Sequence, residues 1–382
     1  MSLEWIPSDD RVLRLEDDLA GVFNIHSVTD RGPGQALVFA AEFLRSPDLV
    51  HAQIGERFKA RGYMALLRRE RGQDLVVALP APAVAGRSRP WLHPLLFVLT
   101  VLSTWMSGTL QWVFGNADRL GIAPDANLSL GATWQLMLAN WTHGLPFAVA
   151  LLGILGVHEF GHYFVARHYK LDVSLPYFIP FPLNYLTGTL GAVIRIQSPF
   201  QSRKALFDVG IAGPLAGLAV AIPVLALGMS QAQVVAIAPG QGGMSFGEPL
   251  LFQWMARLIV GARPPGTDIV MNPLLMAGWW GLLITALNLF PVSQLDGGHI
   301  AYALFGRWHR VLARGMFLAA VLVAILRSPS YAVMMVLVLM MGLDHPPALD
   351  DLTPVGTPRR ILGSLTLIAF FLLFTPVPLA QF

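Results

Sequence analysis

The 382-residue sequence has no cysteine, which excludes disulfides, thiolate nucleophiles and cysteine-based zinc sites. Charge is its second scarcity. Asp, Glu, Lys and Arg make up 13% of the chain, about half of the ~25% usual in a soluble domain. The scarcity is local: residues 1–90 hold 24 of the 49 charges, 12 of each sign, and residues 91–382 hold the other 25. A charged head therefore precedes a body suited to lipid. The formal net charge of +3 comes from that body, with 14 basic and 11 acidic residues. In an apolar segment such an excess sets membrane orientation, so nucleic acid is not an expected partner. The first 30 residues carry nine charges and no apolar run, unlike a secretory signal. The expectation is a cytoplasmic head, with the body in a bacterial inner membrane because no transit peptide is visible.

Within the head, residues 36–43 read as a strand. Asp48 is placed to cap a helix running to Arg61, with Leu49, Ile54 and Phe58 on one face, and Gly62 ends it. Tyr63 to Arg68 and Asp74 to Leu79 read as a hairpin turning at Arg71-Gly72-Gln73. The expected organisation is a soluble cytoplasmic α+β domain over 1–79, a proline-rich linker over 80–90, and a polytopic membrane domain over 91–382. The head carries no recognisable chemistry, and its partner is unknown.

Apolar stretches near the ~20 residues that cross a bilayer core fall at Trp91–Phe114, Leu145–Ala166, Ala205–Met229, Pro273–Phe290, Ala313–Leu326, Tyr331–Leu343 and Ile361–Phe374. The fifth and sixth are short. The expected fold is a membrane α protein: a polytopic bundle of about 6–7 transmembrane helices with a small intramembrane β-hairpin or edge strand. Arg87/Arg89, Arg167/Lys170, Arg203/Lys204, Arg307/Arg310 and Arg359/Arg360 would face the cytoplasm, and residues 115–142 and 230–272 the other side.

The second span contains Val157-His158-Glu159-Phe160-Gly161-His162-Tyr163. Four residues of helix advance about 400° and 6 Å, so His158 and His162 share one face and can hold one Zn²⁺. Glu159 lies beside them, where a general base must be. Ionisable groups in an apolar span are costly and usually functional. A third ligand must come from elsewhere. His168 has the spacing of the metzincin pattern, but that pattern places a glycine where this chain has Val165. The helix therefore continues, and His168 is read as an interface residue. The favoured candidate is Asp296, within Asn288-Leu289-Phe290-Pro291-Val292-Ser293-Gln294-Leu295-Asp296-Gly297-Gly298-His299. It is the only acid between Asp268 and Asp344, in a helix break tolerated in a membrane only where it is buried in protein or lines a cavity. Taken alone it would read as a kinked helix end with an Asp cap. His299 could compete as a ligand, but packing or a supporting contact is the favoured reading.

These paired motifs resemble the site-2 protease family of intramembrane zinc metalloproteases. Gly188-Thr189-Leu190-Gly191-Ala192-Val193-Ile194-Arg195 and the segment Phe207–Gly217 are similar to that family's intervening segments, and Asp344-His345-Pro346-Pro347 resembles its bacterial and chloroplast relatives. The resemblance covers about 140–310, which it implies is the catalytic core, and leaves out the head. It implies one Zn²⁺ per chain on His158, His162 and Asp296, Glu159 as base, and Asn288 near the active site, placed to hydrogen-bond the substrate carbonyl. The implied activity is hydrolysis within transmembrane segments of other membrane proteins, for signalling or signal-peptide clearance. Pro176, Pro180 and Pro182 exclude a helix, while Leu190 to Ile196 reads as a strand able to pair with an unwound substrate. Gly213 and Gly217 allow close helix packing near the site. The alternatives are a metal transporter or sensor using the same His/Asp cluster, and a catalytically silent, chaperone-like homologue.

Overall fold

Leu37, Phe39 and Ala41 alternate inward along one strand, and Val50, Ile54 and Phe58 recur at helical spacing against it. Two periodicities thus build one core. The computed structural model describes residues 10–30, 35–81, 89–123, 128–182, 186–236 and 244–381. It divides into two compact units: residues 1–87 with 198–207 and 346–359, and residues 88–197 with 208–345 and 360–382.

The first unit contains α1 (Asp10–Leu19), β1 (Phe23–Asp30), β2 (Leu37–Phe43), α2 (Pro47–Ala60), β3 (Tyr63–Glu70) and β4 (Gln73–Pro80), with sheet order β1-β2-β4-β3. The β-α-β-β reading of the sequence thus lacks α1 and β1. Charge hides α1, which buries Leu15 and Leu19 beneath a run of carboxylates. β1 lies at the sheet edge and is mostly exposed. α2 begins at Pro47, with Ser46 rather than Asp48 at the cap position. Its buried face uses Val50, and Leu49 is exposed. The hairpin turns on two residues, Arg71 and Gly72, both at positive φ, as a type I′ turn requires.

The β3 edge is extended by the two later segments. The Leu67 N–H donates to the Leu349 carbonyl at 2.7 Å, and the Asp351 N–H donates to the Leu67 carbonyl at 3.1 Å. The Leu349 and Asp350 N–H groups donate in turn to Phe200 and Gln201, both at 2.9 Å. The buried Asp350 carboxylate accepts from the Leu352 and Thr353 N–H groups. On α2, burial pushes the His51 imidazole below its ordinary pKa, opposed by the Asp350 charge and a backbone hydrogen bond to Ala65.

The second unit contains α3 (Leu92–Gly115), α4 (Leu130–Ala139), α5 (Leu145–His168), β5 (Tyr177–Pro180), β6 (Thr189–Val193), α6 (Arg203–Ser230, whose residues 203–207 belong to the first unit), β7 (Val234–Ala236), β8 (Met244–Phe246), α7 (Leu250–Ile259), β9 (Thr267–Ile269), α8 (Pro273–Asn288), α9 (Asp296–Phe305), α10 (His309–Leu326), α11 (Ala332–Met341), α12 (Thr357–Leu373, whose residues 357–359 belong to the first unit) and β10 (Leu379–Gln381). Among the described residues, four helical stretches are long and apolar enough to cross a bilayer: Leu92–Gly115, Trp141–His168, Arg203–Ser230 and Asp296–Leu326. The fourth covers both α9 and α10 and contains the expected span at Ala313–Leu326. α7, α8 and Pro329–Met341 are shorter apolar helices. At 1.5 Å per residue the 16-residue α8 is about 24 Å long, against ~30 Å of hydrocarbon.

β5 and β6 form an antiparallel two-stranded sheet. The strand expected to run to Ile196 ends at Val193, and Ile196 instead bridges Val173.

Candidate metal centre

α5 continues unbroken through Val165 to His168, so His158 and His162 face the same way and His168 ends exposed at the helix terminus. α9 starts at Asp296, and the chain before it folds into a tight irregular turn. Its carboxylate meets both imidazoles: Oδ2 lies 3.2 Å from His158 Nε2 and Oδ1 lies 3.3 Å from His162 Nε2. The two Nε2 atoms are 3.1 Å apart. Tetrahedral ligands at the usual zinc distances stand about 3.3 Å from one another, so this donor set fits a zinc ion in both chemistry and spacing. Among the described residues, His158, His162 and Asp296 form the only cluster of this kind.

A backbone contact selects the His162 tautomer. His162 Nδ1 lies 2.7 Å from the Val209 carbonyl oxygen on α6. A carbonyl only accepts, so Nδ1 carries the proton and the Nε2 lone pair is free for a metal. The sequence holds no signal for this contact, since the partner is a main-chain atom. α6 comes this close because Gly213 has no side chain: a Cβ there would stand 2.0 Å from His162 Nε2. At Gly217 a Cβ would be 3.1 Å from His158 Nδ1, and at Gly161 it would be 2.8 Å from the Ala212 carbonyl oxygen. The two glycines expected to pack near the site, Gly213 and Gly217, therefore do so on α6, and Gly161 does the same on α5.

Glu159 and Asn288 join the cluster from different directions. Glu159 is buried on α5, and its carboxylate accepts a hydrogen bond from the backbone of Ile194, the residue after β6. Asn288, at the end of α8, places Nδ2 3.3 Å from His158 Nε2. His299 turns away to pair with His345, Nδ1 to Nε2 at 2.6 Å. No spacing or motif in the sequence signals this pairing.

Two imidazoles and a carboxylate beside a buried glutamate, on apolar helices, define the class: a membrane protein with a candidate metallohydrolase centre. Residues 146–327 match the model of Peptidase family M50, the site-2 protease family. The chain is 31% identical over 330 residues to the probable chloroplastic zinc metalloprotease EGY1 of Oryza sativa subsp. japonica, covering 82% of this chain and 53% of the relative. It is 30% identical over 335 residues to the Arabidopsis thaliana protein of that name, covering 83% and 57%. With the Arabidopsis thaliana protein EGY2, also named a probable chloroplastic zinc metalloprotease, it shares 33% identity over 240 residues, 62% of this chain and 42% of the relative. The chain thus spans about half the length of the curated relatives it matches. An 82% share exceeds everything from residue 140 to the end, so the similarity reaches upstream of the expected core. These relatives are chloroplastic plant proteins and lend no support to the bacterial inner membrane expected from the sequence.

Proposed function

We propose that the chain is a multi-pass intramembrane zinc metalloendopeptidase that cleaves transmembrane segments of other membrane proteins. The observation that carries this reading is the convergence of His158 Nε2 and His162 Nε2, 3.1 Å apart, on the Asp296 carboxylate, whose Oδ2 lies 3.2 Å from the first and whose Oδ1 lies 3.3 Å from the second, with Glu159 alongside. These three residues would hold one Zn²⁺, which supplies Lewis-acid polarisation of a carbonyl and activation of water near neutral pH. Glu159 accepts the proton of the attacking water and later returns it to the leaving amine. The Asn288 amide, against His158, is placed to donate to the substrate carbonyl oxygen.

A helical substrate hides its carbonyls in its own hydrogen bonds, so it must unwind before attack. β6 suits that step. Leu190 and Val193 on it are exposed, it ends beside Glu159, and an extended segment can add to a strand edge. On this reading the shorter apolar helices complete 6–7 spans around the site, and the basic residues at the span ends hold residues 1–79 in the cytoplasm or its equivalent.

The test uses the full chain in liposomes with zinc and a single-span substrate, beside Glu159→Gln. Cleavage within the span by the wild type, lost in the variant, is expected. Undiminished cleavage by Glu159→Gln overturns the base assignment. Metal crossing the bilayer with no substrate cut would favour a transporter.

A further inference from the structure

Asp296 opens α9 directly after a tight turn that carries backbone strain. Ser293, three residues before it, is fully buried at φ 55°, and its Oγ has no hydrogen-bond partner among the described residues. Non-glycine residues rarely adopt that region, and such strain persists only where the surroundings over-determine it. The first turn of α9 also has no slack. A Cβ at Gly297 would stand 2.0 Å from the Leu289 carbonyl oxygen, and one at Gly298 would stand 2.3 Å from that of Ser293.

The segment Leu343–His345, just after α11, holds this turn on both sides of Asp296. Three residues before it, the Ser293 N–H donates to the Leu343 carbonyl at 3.2 Å. Three residues after it, His299 Nδ1 and His345 Nε2 share a hydrogen bond of 2.6 Å. The His345 ring also stacks on Tyr302, centroids 4.7 Å apart and planes 23° apart. Between the two ties, the Asp344 carboxylate faces Arg310 at 3.5 Å and Arg314 at 3.6 Å on α10. None of the three is part of the His158, His162 and Asp296 cluster.

We propose that His345 is a positioning residue for the metal centre: through His299 it fixes the first turn of α9 and so aims the Asp296 carboxylate at the two imidazoles. This rests on the metal-centre reading above. It also gives a role to the Asp344-His345-Pro346-Pro347 motif, which the hydrolytic steps leave unused.

The test uses the full-length protein in lipid nanodiscs with Co²⁺ as the probe, following its visible absorption and its affinity against a competing chelator. Groups supporting a ligand typically contribute about 10–100-fold in metal affinity. His345→Ala is expected to bind Co²⁺ more weakly by that factor, with an altered ligand-field spectrum. His345→Gln, whose amide can bond His299, is expected to recover most of both. His299→Ala breaks the same bond from the other side, so its loss should match that of His345→Ala and not multiply with it in the double variant. It also carries the test if His345→Ala does not fold. Wild-type affinity and spectrum in the folded variants, or losses that multiply, overturn the proposal. Asp296→Ala separates the two levels. If it too binds like the wild type, the metal-centre reading fails; if it alone loses Co²⁺, only the role of His345 fails.

Discussion

Gly213→Ala adds one methyl group at the closest approach between α5 and α6. The new Cβ would stand 2.0 Å from His162 Nε2, 2.4 Å from Cδ2 and 2.5 Å from Cε1, so the imidazole must move. It cannot turn freely, because Nδ1 is bonded to the Val209 carbonyl at 2.7 Å. Overpacking of this kind costs about 1–3 kcal/mol. At 1.4 kcal/mol per tenfold, the expected weakening of metal binding is about 5- to 150-fold. Global stability should change less, since alanine in a helix interior regains about 1 kcal/mol over glycine. The control is Gly153→Ala, also on α5, where a Cβ meets nothing within 4 Å. Co²⁺ titration of both variants, with thermal unfolding alongside, separates the terms. If Gly213→Ala binds Co²⁺ as tightly as Gly153→Ala, Gly213 does not press on a metal ligand and the argument fails.

Asn288→Ala should leave Co²⁺ affinity unchanged and lower kcat by about 10²–10³, the usual cost of losing a donor to the developing oxyanion; an effect on metal binding instead would make Asn288 part of the metal site. His168→Ala should leave both metal content and cleavage at wild-type levels while His162→Ala loses both, measured by metal analysis and peptide release. Chelation should abolish cleavage and added zinc should restore it; activity surviving in metal-free protein would refute a metal-dependent mechanism. For His51, burial depresses the folded pKa below the ordinary 6.5, so the unfolded chain binds the extra proton and stability falls as pH drops below that value. His51→Leu should flatten this loss, read as amide-exchange protection of β3 in the full-length protein between pH 7 and pH 5.

The His158 and His162 pairing was legible because it depends only on the helical period, and four residues apart is one face whatever the tertiary context. Asp296 was legible by scarcity, as the only acid in a long apolar stretch. The Val209 carbonyl was not, because a main-chain acceptor has no residue signature. On α2, Val50, Ile54 and Phe58 are four apart and share the buried face, while Leu49, one residue before Val50, is turned about 100° away and exposed. The extension of β3 by residues 349–351 and 200–203 was equally hidden. It is made by backbone groups far apart in sequence, and short pairings leave no alternation to find.

That extension bears on how this protein can be taken apart. The N-terminal unit is discontinuous: residues 1–87 are completed by 198–207 and 346–359. Cutting after residue 87 would remove the sheet and leave residues 200–203 and 349–351 without the edge they complete, while the excised piece would expose the Leu67 backbone as a sticky edge. A chimaera that exchanges the head with a relative's must therefore transplant three segments together. A deletion phenotype obtained by trimming the N-terminus alone would report the damage to those orphaned strands as well as the loss of the head.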